Sequence, residues 1–234
     1  DLLLKPNMLS SRAPSEAVTT HPSVIAAVAK RVGKPCLIGD CPPSSKRAVE
    51  DYWKTCGFSR AAEETHARLV KLEGESRIVE VHVGKQSASF PISAVAFANP
   101  VVNLAKLKTH GLTVLTGAVK NLYGLIPGYA KSILHGLFPD PESFSGFLVE
   151  LYCVLQERVL LHVVDAIVGM EGAGPSHGTI RKLGFLAAST DAIAVDTVCA
   201  RLTGFEPNDI PVLRIYGKKF GLPEIELLGD PGVE

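Results

Sequence analysis

A chain of 234 residues is long enough to bury a full hydrophobic core, as one large domain or two small ones. Hydrophobic residues make up 46% and charged residues 21%, a globular balance that excludes a disordered or fibrous chain. The 24 Lys and Arg offset 24 Asp and Glu, so no net field draws the protein to nucleic acid or to an anionic membrane.

No apolar run reaches the roughly 18–20 residues needed to cross a bilayer, and no signal peptide is visible, which points to the cytoplasm. Cys36, Cys41, Cys56, Cys153 and Cys199 contain no CxxC pair, and their odd number speaks against a secreted disulfide framework. No metal site local in sequence is therefore expected within this chain. Cys153 and Cys199 sit in apolar helical patterns and read as small buried hydrophobes. The chain opens on Asp1 directly in an apolar run, and Gly232-Val233-Glu234 follows no closing element, so it reads as a fragment of a longer protein.

In chain order, Leu2-Leu3-Leu4 predicts a short buried strand that stops at Lys5-Pro6-Asn7, because proline removes a donor and restricts the residue before it. Thr19-Thr20-His21-Pro22 opens a helix whose Val24, Ile25, Val28 and Val32 form one apolar stripe. Pro35 to Gly39 predicts a second strand ending at Asp40. Pro42-Pro43-Ser44 then leads into a helix carrying Val49, Tyr52, Trp53 and Cys56. This alternation is the start of a parallel sheet. From about 66 to 92, Leu69, Lys71 and Glu73, then Ile78, Glu80 and His82, alternate with apolar neighbours around Gly74 and Gly84. That pattern predicts an antiparallel β-meander, inserted as an edge or flap of the main sheet, with His66 and His82 at its surface.

Parallel character then returns, with a strand from Val101 to Leu104 and a helix from Thr113 to Leu125. A longer helix from Ser143 to Val159 lines up Phe144, Phe147, Leu148, Leu151 and Leu155 on one face. Leu160 to Val168 and Leu183 to Ala188 are apolar strands. Asp191 caps a further helix, and a last one runs from about Asp209 to Phe220. The expected fold is a single α/β domain over 1–234, with a mostly parallel sheet, helices on both faces and a small antiparallel β-meander.

The segment from Asn103 to Gly128 leaves a strand, passes a polar turn and enters a helix, at the carboxyl edge where open α/β sheets bind ligands. Free N–H groups at the helix start would favour an anion. Lys106, Lys108 and Lys120 add positive charge, and His110 titrates near neutrality. Thr116 and Gly117 permit close backbone approach to a ligand. Lys106 and Lys108 share one side of a strand, so a solvated face also explains them. Lys120 is flanked by Val119 and Leu122 on an otherwise apolar helix and resists that explanation. Lys5, Asn7, Thr20, His21 and Asp40 follow strand ends or open a helix, so they converge on the same edge, as do Asn103 and Asn121. The Gly-rich run from Gly169 to Gly178 matches neither a P-loop nor GxGxxG, and reads as a loop over the site with Glu171 as its acid and His177 exposed.

These residues resemble the domain-of-unknown-function family 362. The likeness runs through Leu3-Leu4-Lys5-Pro6-Asn7, Thr19-Thr20-His21-Pro22, the Asn103–Gly128 segment, Asp165 to Gly172, and Ser189 to Asp196. Many members of that family carry a C-terminal ferredoxin module with cysteine-bound 4Fe–4S clusters, which implies an electron-transfer module or partner outside this chain. A more distant likeness is to the nickel-pincer lactate racemase family, which has a His, a Gly-rich turn, a Lys ten residues on and then Pro-Gly. His110 and Lys120 match that spacing, and His135 falls where a further functional His would lie. The chain departs from it in having Lys5 in place of Arg, no Thr-His at Asp40, and one Gly in the turn. The likeness therefore implies neither lactate nor a covalent pincer on Lys120.

The expectation from all of this is an enzyme domain that binds a small anionic metabolite, a carboxylate or phosphate. His110 would be its general acid/base, Lys120 would stabilise negative charge, and Lys5, Asn7, Thr20 and Asn121 would position the ligand. Isomerase- or racemase-type proton transfer and ferredoxin-fed reduction both fit. The rival expectation is a non-catalytic module that docks an iron–sulfur electron-transfer partner through Lys106 and Lys108.

Overall fold

Leu2–Pro6 (β1) is buried along its whole length, as a strand covered on both faces must be. In the computed structural model, which describes residues 1–43 and 47–229, it occupies the middle of the main sheet. Ser44 and the Gly232-Val233-Glu234 end lie outside the described residues. Pro22–Val32 (α1) follows, with Pro22 in its first turn and Gly33 at φ 61° closing it. Cys36–Ile38 (β2) pairs parallel with β1. Val49–Thr55 (α2) and Phe58–Thr65 (α3) lead to Arg68–Leu69 (β3), parallel to β2.

Ser76–Val83 (β4) and Gln86–Ser93 (β5) form a two-stranded antiparallel sheet of their own. The predicted meander thus divides: Leu69 joins the main sheet as a parallel strand, and only the hairpin is separate. Phe90 of β5 meets Phe147 edge-on at 5.1 Å, which explains why the hairpin folds onto the helical layer rather than extending the sheet.

Ala94–Ala98 (α4) precedes Val101–His110 (β6), which runs six residues beyond the predicted end at Leu104. Val114–Thr116 (β7) turns back antiparallel on it, and the helix expected from Thr113 begins only at Ala118–Asn121 (α5), continuing as a 3-10 turn over Leu122–Leu125. Gly128–Leu137 (α6) and Pro141–Leu155 (α7) complete this layer, α7 capped by Asp140 on the amides of Glu142 and Ser143. Val159–Glu171 (β8) pairs parallel with β6, and Thr179–Ser189 (β9) pairs antiparallel with β8. Ala192–Leu202 (α8), capped by Asp191 as expected, and Pro211–Phe220 (α9) close the described chain.

The main sheet has the order β3-β2-β1-β6-β8-β9, with β7 on β6. Helices cover both faces. Leu2, Leu4, Ile38, Val102 and Leu104 pack against Ile25, Trp53 and Phe58 on one side. Leu3, Val101, Ala105 and Leu107 belong to the larger core on the other, with Leu122, Phe144, Phe147 and Ile193. The chain winds from β1 outward to β3, then crosses to the opposite side of β1 at β6. Between the carboxyl ends of β1 and β6 the two loops diverge, which is the switch point where an open α/β sheet leaves a crevice.

Candidate functional site

The β1 end brings Lys5 and Asn7 to this switch point, and the β6 end brings Lys106, Lys108 and His110. Alternation along β6 sends Ala105 and Leu107 into one core and both lysines to the other face. That face is not solvated. Lys106 and Lys108 are each only 2% exposed, because residues 7–20 and the start of α1 fold over them. Lys106 Nζ lies 2.9 Å from Asp165, which also accepts from the backbone N–H groups of His21 and Ile167. Lys108 Nζ donates to Asn7 Oδ1 at 2.9 Å and to the Val18 carbonyl at 2.6 Å. Neither forms an exposed basic patch.

On the other face, Lys5 is fully buried and pairs with Asp40 at 2.8 Å, while Asp40 also accepts from the Met8 amide. Gly124 presses against this pair so closely that a Cβ there would lie 2.0 Å from Asp40 Oδ1 and 2.4 Å from Lys5 Nζ. An amide chain then links the strands. Asn7 donates to Asn121 Oδ1, Asn121 donates to Asn103 Oδ1, and Asn103 donates to the Ala118 carbonyl and meets His162 Nδ1 at 2.9 Å. Thr20 donates to the Leu104 carbonyl and accepts from the Asn7 amide, so its hydroxyl locks the α1 entry rather than facing a ligand. These partners fix the positions of the β1, β6 and α5 ends relative to one another.

Lys120, on α5, differs from the other lysines of the site. It is half-buried and faces the rings of Tyr123 and Phe144 at 5.9 and 5.8 Å, yet its Nζ has no hydrogen bond and no carboxylate among the described residues. Desolvation, then the charges of Lys131 and Lys5, bring its pKa down to about 8. Lys131 of α6 was not singled out from sequence. It is 7% exposed, donates to the Cys41 carbonyl and lies over the Tyr123 ring, with burial pushing its pKa down. A lysine between the apolar positions of α6 is the same signal that marks Lys120.

His110 lies at the tip of β6, where its Nδ1 accepts from the amides of Leu112 and Thr113 at 3.1 and 3.4 Å. Its proton therefore sits on Nε2. Burial and the charges of Lys120, Lys108 and His135 push its pKa down to about 3, so near neutrality it is a neutral donor rather than a shuttle between two charge states. Its strand partner Val114 is held at φ 62°, a strained conformation for a β-branched residue and a sign that this turn is over-determined by its surroundings. His135 stacks on Phe144 at 4.5 Å, at the rim of the same group.

Gly117, His21 and Glu171, expected at the site, also serve other ends. The amides at the α5 start are not free for an anion. Ala118 N donates to Asp196 Oδ1 at 2.6 Å and Val119 N to Oδ2 at 3.0 Å. Gly117 admits that carboxylate, since a Cβ would lie 2.2 Å from it, so its close approach is to Asp196 and not to a ligand. Thr116 is buried beside it, its hydroxyl without a partner among the described residues. The side chain of His21 caps α1 through the Ser23 amide and is exposed. Glu171 ends β8, which runs past Val168, and faces solvent opposite Arg181 at 3.3 Å, so it is not an acid over the site.

Asp196 is itself 6% exposed, with no cation in ion-pair distance among the described residues, and burial raises its pKa to about 7 against the pull of the two amides. Asp196→Ala is expected to destabilise the fold by about 2 kcal/mol, because two buried N–H groups lose their acceptor. Urea unfolding at neutral pH measures it, and an unchanged midpoint would show that water replaces the carboxylate.

No three His, Cys, Asp or Glu side chains among the described residues gather as a metal-ligand group. No helix among them is long and apolar enough to cross a membrane.

Residues 2–201 match the family described as Domain of unknown function (DUF362). The chain is also similar to a thylakoid-associated protein, sll1697, of Synechocystis sp., at 36% identity over 225 residues, which cover 91% of this chain. It spans 65% of the length of that curated relative. These matches do not show the likeness to the nickel-pincer lactate racemase family. Since the match runs from β1 into α8 and takes in the whole switch-point region, the chain belongs to the domain-of-unknown-function family DUF362.

Proposed function

We propose that the domain binds a small anion, a carboxylate or phosphate, at the switch point between β1 and β6, as the binding step of an enzyme. One observation carries this reading: the site holds more buried positive charge than it compensates. Lys5 has Asp40 and Lys106 has Asp165, but Lys108, Lys120 and Lys131 have no carboxylate within ion-pair distance among the described residues. Uncompensated charges in such a place cost several kcal/mol each unless they deprotonate or gain a counter-ion. A bound anion supplies that counter-ion, with Lys120 as its contact, because of these three lysines its nitrogen makes no hydrogen bond among the described residues and its side chain keeps solvent contact.

The geometry also redistributes the chemical roles. His110 suits a neutral Nε2–H donor to an oxygen that gains charge, while Lys120, with its pKa of about 8, is the group able to exchange a proton near neutrality. Proton transfer of the isomerase or racemase kind fits this pair. Coupling to a 4Fe–4S module elsewhere in the full-length protein is the redox version of the proposal. A cytoplasmic setting belongs to it too, with association to the thylakoid, which the relative's name states of that protein, as the alternative.

The test is thermal unfolding of the protein and of Lys120→Ala in inorganic phosphate, acetate or chloride at matched ionic strength. Saturable stabilisation by phosphate or acetate, absent in the variant, supports the proposal. Equal responses to all three salts count against it.

A further inference from the structure

We propose that Lys120 is a nucleophilic amine that condenses with the carbonyl carbon of a small anionic aldehyde or keto acid, forming an imine at the switch point. This rests on the anion-site reading and names its substrate class. The five lysines of the site are not equivalent. Lys5 and Lys106 each lie against a carboxylate, at 2.8 and 2.9 Å, which occupies the nitrogen. Lys108 directs its protons to Asn7 and Val18, Lys131 directs one to Cys41, and both side chains are nearly sealed from solvent. Lys120 keeps solvent contact, has no acceptor among the described residues, and stands against the faces of two aromatic rings.

An apolar wall on one side and like charges on the other both favour the uncharged amine, which is the nucleophilic form. With a pKa of about 8, Lys120 is half in that form at pH 8. The surrounding lysines favour a carbonyl compound that carries its own negative charge.

The reaction balances without an oxidant or reductant. The Nζ lone pair forms a C–N bond as the carbonyl π pair moves to oxygen. One amine proton passes to that oxygen, giving a carbinolamine. The C–O bond then breaks and the second amine proton leaves with the hydroxyl, so carbonyl and amine become imine and water. His110 Nε2–H is a neutral donor whose ring feels the charge of Lys120, and it is suited to hydrogen-bonding the oxygen while that carries charge.

Pyridoxal 5′-phosphate, an aldehyde that carries a phosphate, is a direct probe. The intact protein is mixed with one equivalent at pH 8, reduced with sodium borohydride, and mapped by peptide mass. The expected result is a secondary-amine adduct at Lys120, about tenfold above that at exposed lysines such as Lys30, Lys85 and Lys218. Excess inorganic phosphate should suppress it. Lys120→Arg keeps the cation, so it should retain phosphate stabilisation and lose the adduct. Label spread over exposed lysines, or none, while phosphate still stabilises the protein, overturns the imine and leaves the anion site standing. A specific Lys120 adduct without any phosphate response supports the imine and removes the anion site. Absence of both removes both.

Discussion

Asp40→Ala is expected to cost about 3–5 kcal/mol of folding stability, the loss typical of breaking one side of a buried ion pair. Lys5 is fully buried, and Asp40 is the carboxylate within reach of its ammonium among the described residues. Gly124 closes over the pair so tightly that rearrangement to a new partner has little room. Removing Asp40 also orphans the Met8 amide. The remaining donor contact of Lys5, to the Pro6 carbonyl, neutralises no charge. Lys5→Met combined with Asp40→Ala should recover most of the loss, since replacing both members of a buried pair by apolar groups is often close to neutral. Urea unfolding of the two variants measures this. A single-variant loss below about 1 kcal/mol would mean that water reaches the pair.

Lys120→Ala should behave in the opposite way. Its amine has no hydrogen bond among the described residues, and its side chain supplies only ring contacts, so the unliganded fold should be at least as stable as before. The sign at different pH follows from its lowered pKa. Between about pH 8 and 10.5 the native state binds fewer protons at Lys120 than the unfolded chain, so the native protein gains stability as pH rises through that window. The variant lacks that gain. Phosphate affinity, in contrast, should fall about 10- to 100-fold, the equivalent of one charge-assisted hydrogen bond of roughly 1.5–3 kcal/mol. Unfolding of Lys120→Ala without ligand would instead assign the lysine to packing.

The order of strands and helices was legible because β1 opens on an apolar run, β8 is mostly apolar, and α1, α7 and α8 carry their own caps. The switch-point reading needed only that order. The β6 extension was not legible, because Lys106 and Lys108 alternate with apolar residues in the way a half-solvated strand does. What covers them is the 7–20 segment, whose contact with Lys108 spans 90 positions in sequence. The α5 start was misread for a similar reason. Its amides look free until Asp196, 78 residues away, is brought onto them by α8. Lys120 stood out because a cation in an apolar helical pattern is a local anomaly, whereas its neighbours Lys131, Tyr123 and Phe144 become a site only when α6 and α7 pack over α5.

The central claim, that Lys120 belongs to an undercompensated cation cluster completed by an anion, is tested most directly by its own titration. Selective isotope labelling of lysine and NMR of the ε-amine, assigned by Lys120→Arg, give its pKa with and without inorganic phosphate. The account predicts a pKa of about 8 in the free protein, rising toward the ordinary lysine value as phosphate saturates the site. An ordinary value in the free protein, or a depressed one that phosphate leaves unchanged, would contradict it.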